Sequence, residues 1–177
     1  MIRNTITTGL QIRLIEACDN KAVADIIRQV MTEFQAVGCG YSINDSEVDD
    51  MYTAYAAEDA AFYVVARGKK ILGCGGFGPL KGADQDTCEL RKMYFRHELR
   101  GLGVGTKLLK ICLEEAKKRG YQQCYLETTE GMQQARRLYG KHGFKTIDER
   151  MGNTGHTSCE TWMARDLSVI PPVSLPR

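Results

Sequence analysis

Hydrophobic and polar positions change period several times along this chain, and each change marks an element. A weak alternation over 11–15 predicts a first strand. Asp19 or Asn20 can cap a helix in which Val23, Ile26, Ile27, Val30, Met31 and Phe34 recur at helical spacing. Residues 35–44, with two glycines and Tyr41, predict a loop, and a short helix follows over 46–57. The run AFYVVA at 61–66, a turn at 67–70 and a glycine-rich run at 71–77 predict a hairpin. A further strand is expected over 87–95.

Residues 103–119 predict a long amphipathic helix. Leu108, Leu109, Cys112, Leu113 and Ala116 form its apolar stripe, Lys107, Lys110, Glu114, Lys117 and Lys118 face out, and Gly120 stops it. A strand at 122–127 follows directly, which implies a right-handed crossover and a parallel pair. A helix over 131–142 and strands over 144–148 and 159–163 complete the order. Strand, two helices, three strands, helix, strand, helix and two strands argue for an α/β chain with a mixed sheet covered on both faces. One domain is expected over 1–167, followed by a proline-rich tail over 168–177 that holds three of the four prolines.

The strongest local chemistry is Arg100-Gly101-Leu102-Gly103-Val104-Gly105-Thr106, between a strand and the long helix. Alternating glycines let backbone N–H groups approach an anion, and the helix start adds unsatisfied donors and the positive end of its dipole. Such a loop suits a pyrophosphate, and Arg100 can add charge-assisted hydrogen bonds. The dinucleotide pattern GxGxxG fails, because its last position falls on Thr106 or Leu108, and a Walker loop fails because the order is Gly105-Thr106-Lys107.

Composition narrows the partners. The 177 residues carry 24 basic and 22 acidic side chains, a net charge of +2, which gives no reason to invoke nucleic acid or a membrane surface. No apolar run approaches the roughly 18 residues of a membrane span, and the polar first residues lack a signal peptide's apolar centre, so a cytoplasmic protein is expected. Seven scattered cysteines without a CxxC pair are expected to be free thiols, with no metal site.

The segment CELRKMYFRHELRGLGVGTKLL resembles the central motif of the GNAT superfamily of acetyl-CoA-dependent N-acetyltransferases. The family's Gln/Arg-x-x-Gly-x-Gly/Ala appears as Arg100, Gly103 and Gly105. Further on, ARRLYGKHGF is similar to the family's second motif, with Tyr139 and Gly143-Phe144 in place. One position departs: many relatives have Asn where this chain has Met132. The resemblance implies a mixed sheet splayed between the strands ending at Phe95 and Glu127, with acetyl-CoA as co-substrate in the opening. Backbone groups of Met93, Tyr94 and Phe95 are then expected along the pantetheine arm, and amides of Arg100, Gly101, Leu102, Gly103, Val104, Gly105 and Thr106 at the pyrophosphate. Members of the family are often dimers, so a homodimer is expected.

Acetyl transfer requires a neutral amine, a polarised thioester and a stabilised thiolate. Tyr139 is the expected acid, against a packing tyrosine on the face of Met132, Ala135 and His142. Glu89 is the expected base, against an ion pair with Arg91 that merely orders the site. By alternation Glu89, Arg91 and Met93 share a face. His156 and Cys159 read as an exposed histidine and a buried cysteine, with a substrate contact for His156 or a covalent cysteine route as alternatives. Glu127, Thr128 and Thr129 end their strand at the expected mouth of the pocket, where they touch substrate or cap the following helix. The acceptor is expected over loops 35–44 and 150–156, with Glu33, Tyr41, Thr128 and His156 as binding residues and Asp45 and Glu47 nearby. A small-molecule amine or amino acid is the expected acceptor. A peptide N-terminus and a non-catalytic acyl-CoA-binding role stand as alternatives.

Overall fold

The computed structural model describes residues 4–6 and 9–168. Apart from Ser168, the proline-rich segment lies outside the described residues. The elements follow in the order β1 (Asn4–Ile6), β2 (Leu10–Leu14), α1 (Asn20–Glu33), α2 (Met51–Ala54), β3 (Ala61–Arg67), β4 (Lys70–Pro79), β5 (Thr87–Phe95), α3 (Val104–Lys118), β6 (Gln123–Thr128), α4 (Gln133–Lys141), β7 (Lys145–Ile147) and β8 (Thr161–Asp166). They build one sheet in the order β1-β2-β3-β4-β5-β6-β8-β7. Every neighbouring pair is antiparallel except β5–β6, the parallel pair that the strand-helix-strand crossover requires. No described helix is long and apolar enough to cross a membrane.

The sheet separates two apolar clusters. β3 is apolar at nearly every position because both its faces are covered. Phe62, Val64 and Ala66 join Val23, Ile27 and Met51 on the side of α1 and α2. Tyr63 and Val65 join Leu108, Leu109 and Cys112 on the side of α3. The apolar stripe of α3 is buried as its spacing predicts, each leucine contributing about 2 kcal/mol. Lys117 and Lys118 lie in its last turn, where the helix dipole favours cations.

Two expectations change. The helix expected over 46–57 breaks into a 3-10 turn (Ser46–Asp49) and the short α2. Asp50 interrupts it because its carboxylate accepts from the Thr53 N–H and from Asn20 Nδ2, and so starts a new helix instead of continuing one. Strand β1 was not legible as an element. It pairs antiparallel with β2 from Asn4–Ile12 to Ile6–Leu10.

β4 lies against β3 so closely that a side chain at Gly76 has no room. A Cβ there would sit 2.3 Å from the Ala61 carbonyl oxygen and 2.5 Å from Phe62 Cδ2. Gly76→Ala is expected to destabilise the fold by about 2 kcal/mol or more. Urea unfolding should show a lower midpoint with an unchanged m-value.

Candidate functional site

The site begins where the parallel ladder ends. β5 and β6 pair Thr87 with Gln123, Cys88 with Cys124 and Glu89 with Tyr125, and then separate, although β5 runs to Phe95 and β6 to Thr128. A bulge in β5 accompanies the separation. On β4, Gly76 faces Arg91 and Cys74 faces Tyr94, so Lys92 and Met93 together stand opposite Gly75. Lys92 carries the irregularity, with a left-handed φ of 51°. Such a bulge bends and twists the strand and re-aims its side chains.

The bulge corrects the expected alternation. Met93 does not share the face of Glu89 and Arg91. It packs with Phe95 on the α3 side. Lys92 takes the α1 side instead, where its Nζ donates to Asp45 Oδ2 at 2.5 Å and reaches Glu47 Oε1 at 2.9 Å. The ammonium is buried, so both carboxylates are needed to hold its charge.

On that face lies a small cavity of about 50 Å³, lined among others by Tyr41, Glu89, Lys92, Glu127, Thr128 and His156. Glu89 is buried and accepts from Arg91 Nε at 2.6 Å through Oε2. The expected ion pair is therefore formed, and it engages Oε2, while Oε1 has no hydrogen bond to the described residues. Burial pushes the Glu89 carboxyl above its ordinary range despite the Arg91 charge. Arg91 is itself fixed by donating to the Pro79 carbonyl at 2.5 Å. Across the opening, Glu127 accepts from Tyr125 Oη at 2.7 Å and from Thr154 Oγ1 at 3.0 Å.

A strap from β7 to β8 supplies one wall of this cavity, through His156 and Cys159. The Asn153 N–H donates to the Lys81 carbonyl at 2.6 Å, and the Ser158 N–H donates to the Gly40 carbonyl at 3.1 Å. Ser158 Oγ donates to the Cys39 carbonyl at 2.9 Å. Position 40 must be glycine for this docking, since a Cβ would lie 2.5 Å from Thr157 Oγ1 and φ is 80°. The strap carries His156, whose Nε2 lies 3.1 Å from both Asp45 oxygens. His156 is thus part-buried, not exposed. Burial is the largest single influence and works against its charge, but the Asp45 hydrogen bond and the charges of Asp45 and Glu89 together outweigh it and raise its pKa. Asp45 responds in the opposite sense: burial opposes ionisation, yet His156 and Lys92 hold its carboxyl below the ordinary range.

Other expected residues divide. Tyr41, Thr128 and His156 line the cavity, whereas Glu33 does not. Glu33 forms a bidentate pair with Arg100 instead. Arg100 also donates to the Phe95 carbonyl from Nε and Nη2 at 3.2 Å and lies over the Phe34 ring. Its guanidinium ties α1 to the end of β5 and is not presented by the glycine loop. Within that loop, the amides of Arg100 and Leu102 donate to His97 and Leu99 and hold the turn. The amides left for an anion are those of Gly101, Gly103, Val104, Gly105 and Thr106, at the start of α3. Gly103 has φ 73°, and the space beyond it is open. The residues present therefore fit a phosphate group.

Tyr139 is buried on the α3 side beside Phe144, and its hydroxyl approaches Met93 Sδ at 3.9 Å. Burial pushes its pKa well up, so it keeps its proton. Tyr94 is half-buried, with its hydroxyl 3.5 Å from Ser42 Oγ. Thr128 and Thr129 do not cap α4: their buried hydroxyls have no hydrogen-bond partner among the described residues. Cys159 lines the cavity, but burial pushes its thiol up to about 12, which argues against a nucleophilic thiolate. Lys92 is the site group that sequence reasoning missed, whereas Glu127 lines the cavity at the mouth where it was expected. The one available signal for Lys92 was a lysine inside a central strand.

Comparison with known proteins agrees with this architecture. The sequence model of the acetyltransferase (GNAT) family matches residues 24–144. An uncharacterised N-acetyltransferase of Escherichia coli, YjgM, is 41% identical over 150 residues, which cover 84% of this chain and 90% of that protein. An acetyltransferase structure from Streptococcus agalactiae superposes with a TM-score of 0.77 at 17% identity, covering 90% of this chain and 99% of that one. The YncA acetyltransferase of Salmonella typhimurium, solved with acetyl-CoA, gives a TM-score of 0.70 at 20% identity, covering 96% and 99%. The two structures share the fold.

Removing the buried ammonium tests the electrostatic account. Lys92→Met leaves Asp45 and Glu47 facing each other without a cation, and should cost about 2 kcal/mol at neutral pH. That is less than for a fully buried pair, because their side chains keep 27% and 28% of their exposure. The Asp45 contribution exists above its unfolded pKa and is lost as pH falls through its lowered folded value. The gap between wild type and variant in urea midpoint should therefore narrow as the carboxylates protonate.

Proposed function

We propose, from the premise that this chain belongs to the GNAT acetyltransferase family, that this N-acetyltransferase moves an acetyl group from acetyl-CoA to the primary amine of a small molecule or amino acid. Attack is direct, in a ternary complex. The observation that carries the choice of acceptor is the strap. It docks on loop 35–44 at Gly40 and on Lys81, leaving a cavity where an extended polypeptide would need an open groove.

The free amides of Gly101 and of Gly103 to Thr106 would hold the pyrophosphate, and the unpaired edge of β5 at Met93, Tyr94 and Phe95 would align the pantetheine arm. Bound acetyl-CoA supplies an activated thioester. The acceptor sits among Tyr41, Thr128 and His156, where the unpartnered hydroxyls of Thr128 and Thr129 are ready to hydrogen-bond it.

Glu89 takes the proton of the acceptor ammonium on Oε1. Burial makes this carboxylate a stronger base than a free glutamate, while Arg91 on Oε2 fixes its orientation. The two readings of Glu89 therefore combine: the ion pair orders the base. Tyr139, which keeps its proton, donates to the leaving thiolate.

Titration calorimetry with acetyl-CoA is the first test. Gly103→Asp places a carboxylate in the pyrophosphate cradle and should weaken binding at least ~10-fold, about 1.4 kcal/mol. Acetylation of a panel of L-alanine, L-lysine, putrescine, phenylethylamine and a short peptide follows, with the peptide the poorest acceptor. Preferred turnover of the peptide would reverse the acceptor assignment. Tyr139→Phe should lower kcat by about 100-fold while leaving acetyl-CoA affinity unchanged. Unchanged kcat would remove Tyr139 from the mechanism.

A further inference from the structure

A proton that reaches Glu89 sits on a buried carboxyl in the wall of the cavity and must leave it before the next turnover. The neighbouring cations do not carry it. Arg91 is a guanidinium that keeps its proton at any working pH, and Lys92 is an ammonium clasped by two carboxylates. Among the described residues lining the cavity, His156 has the side chain that ordinarily titrates near neutrality. It also stands between two carboxylates from different elements. Its Nε2 is 3.1 Å from both oxygens of Asp45, and its Nδ1 is 3.7 Å from Glu127 Oε2.

We infer that Glu127, His156 and Asp45 form a proton exit that carries the acceptor's proton from the cavity to solvent; this rests on the acetyl-transfer reading above. Side-chain exposure rises along the line, from 2% at Glu127 to 13% at His156 and 27% at Asp45. Thr154 holds the inner half in register: its Oγ1 donates to Glu127 Oε2 at 3.0 Å and accepts from the His156 N–H at 3.2 Å.

The protons balance. The acceptor R–NH3+ gives one proton to Glu89 and becomes R–NH2. Glu89 returns to its carboxylate by passing that proton across the cavity, which has room for a bridging water, to Nδ1 of the imidazole, with Glu127 stabilising the imidazolium. Nε2–H then leaves to Asp45, which releases the proton to bulk water. The amine's second proton, lost as the N–C bond forms, ends on the thiolate, and Tyr139 mediates that transfer.

The groups facing the imidazole are Asp45 from the α1–α2 loop, Glu89 and Lys92 from β5, Glu127 from β6, and Arg150 from the strap, whose Nη2 donates to the His156 carbonyl at 2.9 Å. Burial and Lys92 disfavour the imidazolium, and the carboxylates outweigh them, so its pKa is raised. The exit therefore fails as pH falls through that raised value, because the imidazole is then already protonated.

The test uses wild type, His156→Gln, His156→Gly and Asp45→Asn, with acetyl-CoA and the best acceptor of the panel. Thermal melting first confirms that the variants fold. His156→Gln is expected to lower kcat by about 100-fold with acetyl-CoA affinity unchanged, and to change the acidic limb of the kcat profile by removing the His156 inflection and leaving that of Glu89. Added imidazole is expected to restore turnover to His156→Gly, and Asp45→Asn to move the His156 inflection to lower pH. Retained kcat and an unchanged limb in His156→Gln would overturn the exit and leave acetyl transfer standing. So would a fall in kcat that leaves the limb unchanged and is not rescued by imidazole, since it marks a structural role. A wild type that acetylates no panel member would overturn the acetyl-transfer reading and the exit together.

Discussion

The early end of the β5–β6 ladder is the constraint on which the site depends. Three residue pairs join these strands, and then a bulge at Lys92 and Met93 takes β5 away from β6. The opening leaves one edge of β5 unpaired, faces the glycine loop on one side and the polar cavity on the other, and separates Tyr139 from Glu89. The left-handed backbone at Lys92 is unfavourable for a residue with a Cβ. It is held in place by what its side chain gains, two carboxylates for a buried ammonium. Backbone irregularity and electrostatics thus support each other at one residue.

Around that lysine the charges are arranged in pairs. Glu89 is matched by Arg91, Asp45 by Lys92 and His156, Glu47 by Lys92, and Glu127 lies 3.3 Å from Arg150. Such pairing makes a partly buried polar cavity tolerable, and it fixes the loops that supply the partners. Loop 35–44 and the strap are connected by backbone hydrogen bonds at Gly40, while Asp45 and His156 connect the segments by charge. Shape and charge at the cavity therefore have one origin. A change at Asp45 moves the strap's histidine and the lysine of the bulge together.

Much of the architecture was legible in the sequence. The α3 stripe, the glycine loop, the hairpin of β3 and β4, and the parallel β5–β6 pair all follow from local period and turn chemistry, because each depends on residues close in sequence. The Glu89–Arg91 pair was also in reach, two positions apart on one strand. The face of Met93 was not, since alternation assumes a regular pleat and the bulge shifts the period by one residue. Glu33 and Arg100 were each assigned separate tasks, and the fold joins them across 67 positions. The roles of Lys92 and His156 rest on partners 47 and 111 positions away.

The sequence by itself therefore determined the family, most of the element order and the glycine loop. Local patterns encode these because hydrophobic period and turn residues act within a few positions. Tertiary structure alone decided where the sheet opens, which side chains face the cavity, and which charges neutralise one another. Those outcomes depend on a bulge and on contacts between distant loops, and the energy of a buried charge is set by its neighbours in space, not in sequence.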